Sequence, residues 1–543
     1  MWEMQLEAPR YPGSLVQPKE KHLQPFWYRH LTKFYQLYSS PYHDLRRVFS
    51  TVSCFVMAIR CRLLLLLLLP CLVGQAARAT VRVPALVGSH MVLQRDQPLL
   101  LWGWAGPGEA VRLTFRGRTY AASTPGADGR WQATLPATPP GGPYTLTIAG
   151  QNTIVLDDVL VGDVWLAAGQ SNMQFKVKDA NPRGYQPVQN ADQEIAAAQY
   201  PGIRMFTVAQ VAAARPAAGV AGSGWQVCSP ATVAGFSAVA YFFGREIHQH
   251  YRVPVGLVVS SWGGTPAEAW VSAGGLRAFP EFGPDMTEFT RRDSSRRGDQ
   301  LRPTALYNGM VAPLRPVALK GIIWYQGETN VERAEQYRTL FPALIADWRA
   351  QWGAPLPFLF VQLANYQAAR PAPAESAWAE LREAQAAALA LPRTGMATAI
   401  DVGEADDIHP HNKQAVGHRL ALAARRVAYG DKKLIASGPT YAGMAIVGAT
   451  VRVKFSSVGS GLAARNGQPL QGFALAGADR IFHWASARFV GDEVRVESPQ
   501  VPAPVAVRYD WADNPAGNLI NTAGLPAVPF RTDAWPGLMA GRK

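Results

Sequence analysis

The sequence predicts an α/β fold: a three-layer α/β/α domain built on a parallel sheet, flanked by an N-terminal and a C-terminal β-sandwich. Three observations carry this. Near-continuous apolar runs of strand length alternate with amphipathic stretches of helical period through the middle of the chain. Short alternating runs broken by Gly, Pro and Asp-Gly turns occupy both ends. Of 543 residues, 48% are hydrophobic and 17% charged, the balance of a globular protein with a large core. Domains hold roughly 100–200 residues, so three are expected.

The first module spans residues 80–157, with "PLLLWGWAG", "AVRLTFRGRTY", "GRWQATLPA" and "PYTLTIAG" as its strands. Trp102, Trp104 and Trp131 read as sandwich core ahead of sugar-stacking platforms. The second module, residues 158–432, reads as strands from Val159 to Ala168, Val253 to Ser260, Gly321 to Tyr325, Phe358 to Leu363 and Met396 to Asp401. Helical spacing runs from Ala238 to Tyr251, Ala334 to Trp352, Ala377 to Leu391 and Lys413 to Tyr429. Between about 270 and 310 the alternation gives way to Gly, Pro, Arg and Asp, an insertion or long loop. Strands return over 433–535, in "TVRVKF", "DRIFHWASARFVG", "DEVRVES" and "PVAVRYDW".

Ahead of these modules, Met57 to Arg62 is basic, Leu63 to Leu69 is seven leucines, and Ala77-Arg78-Ala79 closes the segment. A basic stretch, an apolar stretch and an A-x-A triplet make a cleavable signal peptide over 57–79, with a core too short to span a membrane. The protein is therefore expected to be secreted or periplasmic. Pro70 before Cys71 argues against a lipidated cysteine. Translation is expected to begin at Met57, with residues 1–56 an upstream extension absent from the native protein. Cys54, Cys61 and Cys71 lie in this leader, which leaves Cys228 and no internal disulfide.

The formal charge is +14, yet six of those charges fall in residues 1–79 and the rest are scattered. The densest cluster, Arg291, Arg292, Arg296, Arg297 and Arg302, is interleaved with Asp293 and Asp299 and lacks aromatic partners. A solvated loop is expected there, and no nucleic-acid partner.

In open parallel sheets ligands bind beyond the carboxyl ends of the strands. There the chain places Gly169-Gln170-Ser171-Asn172, Ser260 to Thr265 with Gly263-Gly264, Gln326-Gly327-Glu328-Thr329, and Asp406-Asp407-Ile408-His409. A serine is a poor nucleophile until a base takes its proton, and imidazole is the natural base. Ser171 and His409 fit those roles. Ser171 N–H, Gly264 (or Gly263) N–H and the Gln326 amide are candidate donors for a developing oxyanion. Asp406, with Asp407 as alternative, is the candidate to orient the imidazole. Asn172 and Glu328 are assigned supporting roles, and Trp262, Trp270, Trp324 and Tyr325 are candidate walls of a sugar-stacking crevice.

Asp406, Asp407, His409 and His411 also cluster, and His248 and His250 form an H-x-H pair. Zinc needs three or four convergent ligands, whereas residues around Pro410 point in different directions, so no metal is expected. A carbohydrate-binding protein without turnover is the rival reading, and the joint presence of Ser171, Gln326 and His409 argues against it.

The blocks "GQSNM", "SSWGGTPAEAW", "WYQGETN" and "DIHPHNK", in this order, resemble those of sialate O-acetylesterases within the SGNH (GDSL-like) hydrolases. The flanks "MVLQRDQPLLLWGWA" and "VRYDWADNPAGNLINTAGLPAVPFRTD" extend the resemblance over about Val81 to Asp533. It implies an SGNH-type domain and a serine esterase removing O-acetyl groups from sugars, with no metal or cofactor. Ser171 is then the nucleophile, His409 the base, and Gln326 with the second-block glycine the oxyanion donors. Many members of the wider superfamily carry asparagine where this chain has Gln326. The expected partner is an O-acetylated glycan or sialic acid, with acetylated xylan or another glycan as alternative, and neither nucleic acid nor stable membrane insertion.

Overall fold

The computed structural model describes residues 80–180, 184–292 and 296–543. The expected signal segment 57–79, the stretch 1–56 and Asp293 of the arginine cluster lie outside the described residues.

The N-terminal module is built from β1 (Val92–Gln94), β2 (Leu99–Trp104), β3 (Arg112–Phe115), β4 (Arg118–Ala121), β5 (Arg130–Leu135) and β6 (Gly141–Ala149). β2 pairs antiparallel with β5, and β3 with β4 and β6. Trp131 is buried, as its place in an alternating strand predicts. β6 then pairs with β7 (Thr153–Gly169), whose 17 residues do not stop at the expected boundary. Its first residues are partly exposed, and from Val159 onward every side chain is buried. One strand therefore belongs to an antiparallel sheet at its start and to the parallel sheet at its end. Asp158, at the change-over, adopts φ 55°, a left-handed conformation that aspartate tolerates better than most residues. Its carboxylate is held by His90 Nδ1 (2.8 Å) and by two Arg204 nitrogens (2.6 and 3.1 Å).

The remaining strands of this sheet are β8 (Tyr200–Thr207), β9 (Gln226–Cys228), β10 (Val255–Ser261), β11 (Gly321–Tyr325), β12 (Phe358–Gln362) and β13 (Thr394–Thr398). Their order is β13-β12-β11-β7-β10-β8-β9, parallel throughout except for the β8–β9 pair. Strand order reverses at β7, which lies between β10 and β11. The helices are α1 (Ser171–Gln174), α2 (Ala191–Ala196), α3 (Ala238–Tyr251), α4 (Gly283–Thr290), α5 (Ala334–Trp352), α6 (Ala377–Ala387) and α7 (Lys413–Val427). Side chains alternate across a strand, and Trp165 is paired in register with Gly321, so Trp165 and Trp324 project from opposite faces. Trp165 packs on Phe243 of α3, and Trp324 on Phe341 and Trp348 of α5. Both faces are thus covered, which is the expected α/β/α layering.

This packing corrects three of the expected crevice walls. Trp270 and Trp324 are fully buried and meet edge to face at 5.9 Å. They are core side chains rather than walls of a crevice, as is the fully buried Tyr325. The stretch expected as an insertion is likewise no open loop: it holds α4 and short turns that bury Leu276, Phe279, Phe282 and Phe289. Two of its arginines are matched by acids, Arg292 with Asp299 (2.9 Å) and Arg302 with Asp285 (3.3 Å) and Glu288 (3.2 Å).

The C-terminal module has two four-stranded antiparallel sheets. One runs Thr440–Val447, Thr450–Ser456, Glu493–Glu497, Ser486–Val490, and the other Phe482–Trp484, Phe473–Ala476, Ala506–Tyr509, Phe530–Arg531. Their shared core includes Val451, Val453, Leu475, Val494, Val496 and Val507. Arg382 of α6, fully buried, fastens this module by donating to the carbonyls of Ala512 (2.7 Å) and Asp513 (3.0 Å) as well as Leu363 and Ala364. Among the described residues no helix is long and apolar enough to cross a membrane.

Trp324→Ala removes a large ring from a site closed on all sides. It is expected to lower the unfolding free energy by about 3–5 kcal/mol, read by chemical denaturation. A change under about 1 kcal/mol contradicts a core position.

Candidate active site

The register of the sheet brings three loops to one level. Gly169, the last residue of β7, is paired with both Ser261 of β10 and Tyr325 of β11. The chain can turn here only because residue 169 is glycine: φ is 144°, and a Cβ would lie 2.1 Å from the Tyr325 carbonyl oxygen. Gln170 N–H donates to that same oxygen (3.0 Å), and α1 then begins at Ser171. Ser171, Gly264 and His409 line one crevice of about 620 Å³, open to solvent, with Gln170, Gln174, Tyr185, Gln210, Trp262 and Glu328 among its other walls.

The second loop supplies a donor. Gly263 N–H is taken by Gln174 Oε1 (2.8 Å). The N–H groups of Gly264 and Ser171 have no partner among the described residues. Gly264 has φ 72° with open space where a Cβ would stand, so conformation rather than crowding requires glycine there. Of the two glycines, 264 is the one with a free donor.

Gln326 is not at the crevice. Its side chain is fully buried, with Nε2 donating to Asn330 Oδ1 (2.7 Å) and the Thr265 carbonyl (3.3 Å), while Oε1 accepts from the Tyr337 hydroxyl (3.1 Å). Every bond it makes is inward, so it cannot also bind an oxyanion. Through Thr265 it braces the loop that carries Gly264.

His409 is oriented by Asp407, not by Asp406. Asp407 Oδ1 lies 3.0 Å from His409 Nδ1 and also accepts the His409 backbone N–H (2.8 Å). Asp406 is exposed and makes no side-chain hydrogen bond among the described residues. A carboxylate only accepts, so Nδ1 carries the proton and Nε2 is left with a lone pair. Among the described residues Nε2 has no partner, and no direct hydrogen bond joins it to the Ser171 hydroxyl. Burial pushes the His409 imidazole below its usual value, Asp407 pulls it up, and Lys413 and His411 push it down. Nearby, His411 Nδ1 meets Glu404 Oε1 (2.7 Å). Among the described residues no three His, Cys, Asp or Glu side chains are grouped to hold a metal ion.

Asn172 ties three of the loops together. Its Nδ2 donates to Glu328 Oε1 (2.6 Å) and to the Ile408 carbonyl (3.1 Å), and its Oδ1 accepts from Lys413 Nζ (2.5 Å).

The family described as "Carbohydrate esterase, sialic acid-specific acetylesterase" matches residues 161–426. Mouse sialate O-acetylesterase is 33% identical over 441 residues, 69% of this chain and 78% of the relative. The chain belongs to this esterase family. The human sialate O-acetylesterase is 32% identical over 398 residues, covering 66% of this chain and 73% of its own length. A crystal structure of a carbohydrate acetylesterase from Xanthomonas citri superposes with a TM-score of 0.77 at 43% identity, over 84% of this chain and all of the other. The chain is accordingly a carboxylic ester hydrolase of SGNH type.

Two residues of the esterase escaped the sequence reading. Tyr185 stacks on Phe175 (5.1 Å) and lies against the His409 ring (4.8 Å). Burial raises its phenol, and the Ser171 hydroxyl within reach pulls it back. Nothing around Tyr185 in the sequence signals this, because the contact is made across loops. Lys413 is the last residue of "DIHPHNK" and the first of the expected helical stretch, and the sequence assigns it no role.

His409 in the esterase is expected to titrate below about 6.5, followed by NMR of its ring. Asp407→Asn removes the group that raises it and moves the titration lower still, whereas Asp406→Asn leaves it in place. Equal responses of the two variants contradict the assignment.

Proposed function

We propose that the enzyme hydrolyses O-acetyl esters on sugars through an acetyl-Ser171 intermediate. The supporting observation is the crevice at the ends of β7 and β10, lined by Ser171, His409 and Gly264, where His409 Nε2 and the N–H groups of Ser171 and Gly264 have no partner among the described residues.

In the first half-reaction Ser171 Oγ attacks the acetyl carbonyl carbon as His409 Nε2 takes the hydroxyl proton. The carbonyl oxygen gains the negative charge and lies against the Ser171 and Gly264 N–H groups. Asp407 stays ionised and balances the imidazolium. When the tetrahedral adduct collapses, the bond to the sugar oxygen breaks, and His409 returns its proton to that oxygen. A water molecule then attacks the acetyl-serine carbon and gives a proton to His409. Ser171 Oγ leaves, recovers the proton, and acetate departs.

The relatives named sialate O-acetylesterase support acetylated sialic acid as substrate. The 43% identity to a carbohydrate acetylesterase, spanning all of that chain, favours a second reading, acetylated glycans more broadly, with the half-buried Trp262 as a wall for the sugar ring. We further propose that the enzyme works outside the cytoplasm after loss of residues 57–79, as the basic, leucine-rich and A-x-A order of that segment supports. A mature N-terminus near Thr80 is the expected sequencing result, and a retained Trp2 overturns export by this route.

Acetate release from a panel of acetylated sialic acids and neutral glycans tests the reading. Ser171→Ala is expected to reduce release at least about 10³-fold, and Asp407→Asn at least about 10²-fold in kcat. If Ser171→Ala hydrolyses as fast as wild type, the acyl-enzyme route is wrong.

A further inference from the structure

Lys413 is the first residue of α7 and has no exposed surface. Three physical costs meet at this position. Burial penalises the ammonium form and brings Lys413 down to about 7. A helix N-terminus favours anions over cations. No carboxylate forms an ion pair with Lys413 among the described residues; its hydrogen bond goes to the neutral Asn172 Oδ1. Instead the nitrogen lies over the faces of Phe175 (4.6 Å) and Tyr325 (5.4 Å), the contact a desolvated cation makes with aromatic rings. A helix start needs no lysine, and an apolar residue would fill the space at lower cost.

What Lys413 holds is the junction of the site. Asn172 follows Ser171, and Ile408 precedes His409; the amide of the one donates to the carbonyl of the other (3.1 Å). Lys413 fixes which way that amide faces, because an ammonium accepted by Oδ1 leaves Nδ2 for Ile408 and Glu328. The charged and titratable groups facing Lys413 are Glu328, Asp407 and Glu404. Those facing His409 are Asp407, Lys413 and His411, with Tyr185 against its ring. Of these Glu328 does most to favour the ammonium, yet burial outweighs it and also raises the Glu328 carboxyl, whose Oε2 has no partner among the described residues.

We propose that Lys413 is a positioning residue for acyl transfer: through Asn172 it clamps the Ser171 turn to the His409 loop. Its positive charge adds to burial, the larger effect, in disfavouring the imidazolium. The inference rests on the acyl-enzyme reading above. His409 titrates below the value of a free imidazole, where Lys413 is mostly charged, so the two effects operate over the same range. As pH rises past 7 the lysine charge fades, but by then the imidazole is already free base and nothing is lost at that end of the profile.

The test is the pH profile of kcat/KM, with kcat and KM measured separately, for Lys413→Met, Lys413→Arg and Asn172→Ala. Melting curves check that each variant is folded. Lys413→Met keeps the apolar stem and removes the charge. Its acid limb is expected to move up by about 0.5 pH units or more, with kcat down at least about tenfold and KM within about threefold. Lys413→Arg keeps the charge, and its acid limb should stay near that of wild type. If Lys413→Met does not fold, Asn172→Ala carries the test, with a fall in kcat of at least about tenfold expected at unchanged KM. An acid limb and kcat for Lys413→Met that superimpose on wild type overturn the proposal, as does an Asn172→Ala kcat within twofold of wild type. Activity in Ser171→Ala would instead overturn the reading beneath it, so the two failures are told apart.

Discussion

The site depends on one register. Because Gly169 is level with Ser261 on one side and Tyr325 on the other, three loops leave the sheet at the same height and in neighbouring columns. A shift of one residue in either pairing would turn the loop's side chains to the opposite face. The register is held by burial on both faces, by Trp165 against α3 and Trp324 against α5, rather than by any interaction within the crevice. Chemistry at the open edge is therefore paid for in the closed layers beneath it.

Around that frame the loops are braced by amides. Gln170, Asn172, Gln174, Gln326, Asn330 and Gln385 each join one loop or strand end to another. An amide both donates and accepts without carrying charge, so it can be buried at less cost than an ion. It also sets direction, since its two ends are not interchangeable. Charge reaches His409 from Asp407, Lys413 and His411.

Much of this was legible in the sequence, and the failures share a cause. Strand and helix order in the central module follows from periodicity, and Ser171, Gly264 and His409 follow from their places after strands. Gln326 misled because a polar amide at a strand end looks like a donor to substrate, when its partners, Asn330, Thr265 and Tyr337, lie below the surface. Asp406 and Asp407 differ by one position, and only the path of the loop before Pro410 decides which carboxylate turns towards the ring. Trp270 and Trp324 read as platforms because sequence shows that a residue is aromatic but not which layer it faces. Lys413 was passed over for the reverse reason, since a lysine at a helix start is ordinarily solvated. The boundary at residue 158 follows the change from short alternating runs to longer apolar ones, which does not show that one strand spans it. The strand instead accommodates Asp158 by a local kink and pairs its carboxylate with Arg204 and His90.

That uninterrupted strand makes the N-terminal module a handle rather than a tethered appendage. The strand runs 17 residues, bends at Asp158, and ends at the nucleophile turn. No linker lies between the two sheets to be lengthened, swapped or cut by a protease without severing the central strand of the catalytic layer. The N-terminal module and the crevice thus share one strand, paired with β6 at its start and with β10 and β11 at its end.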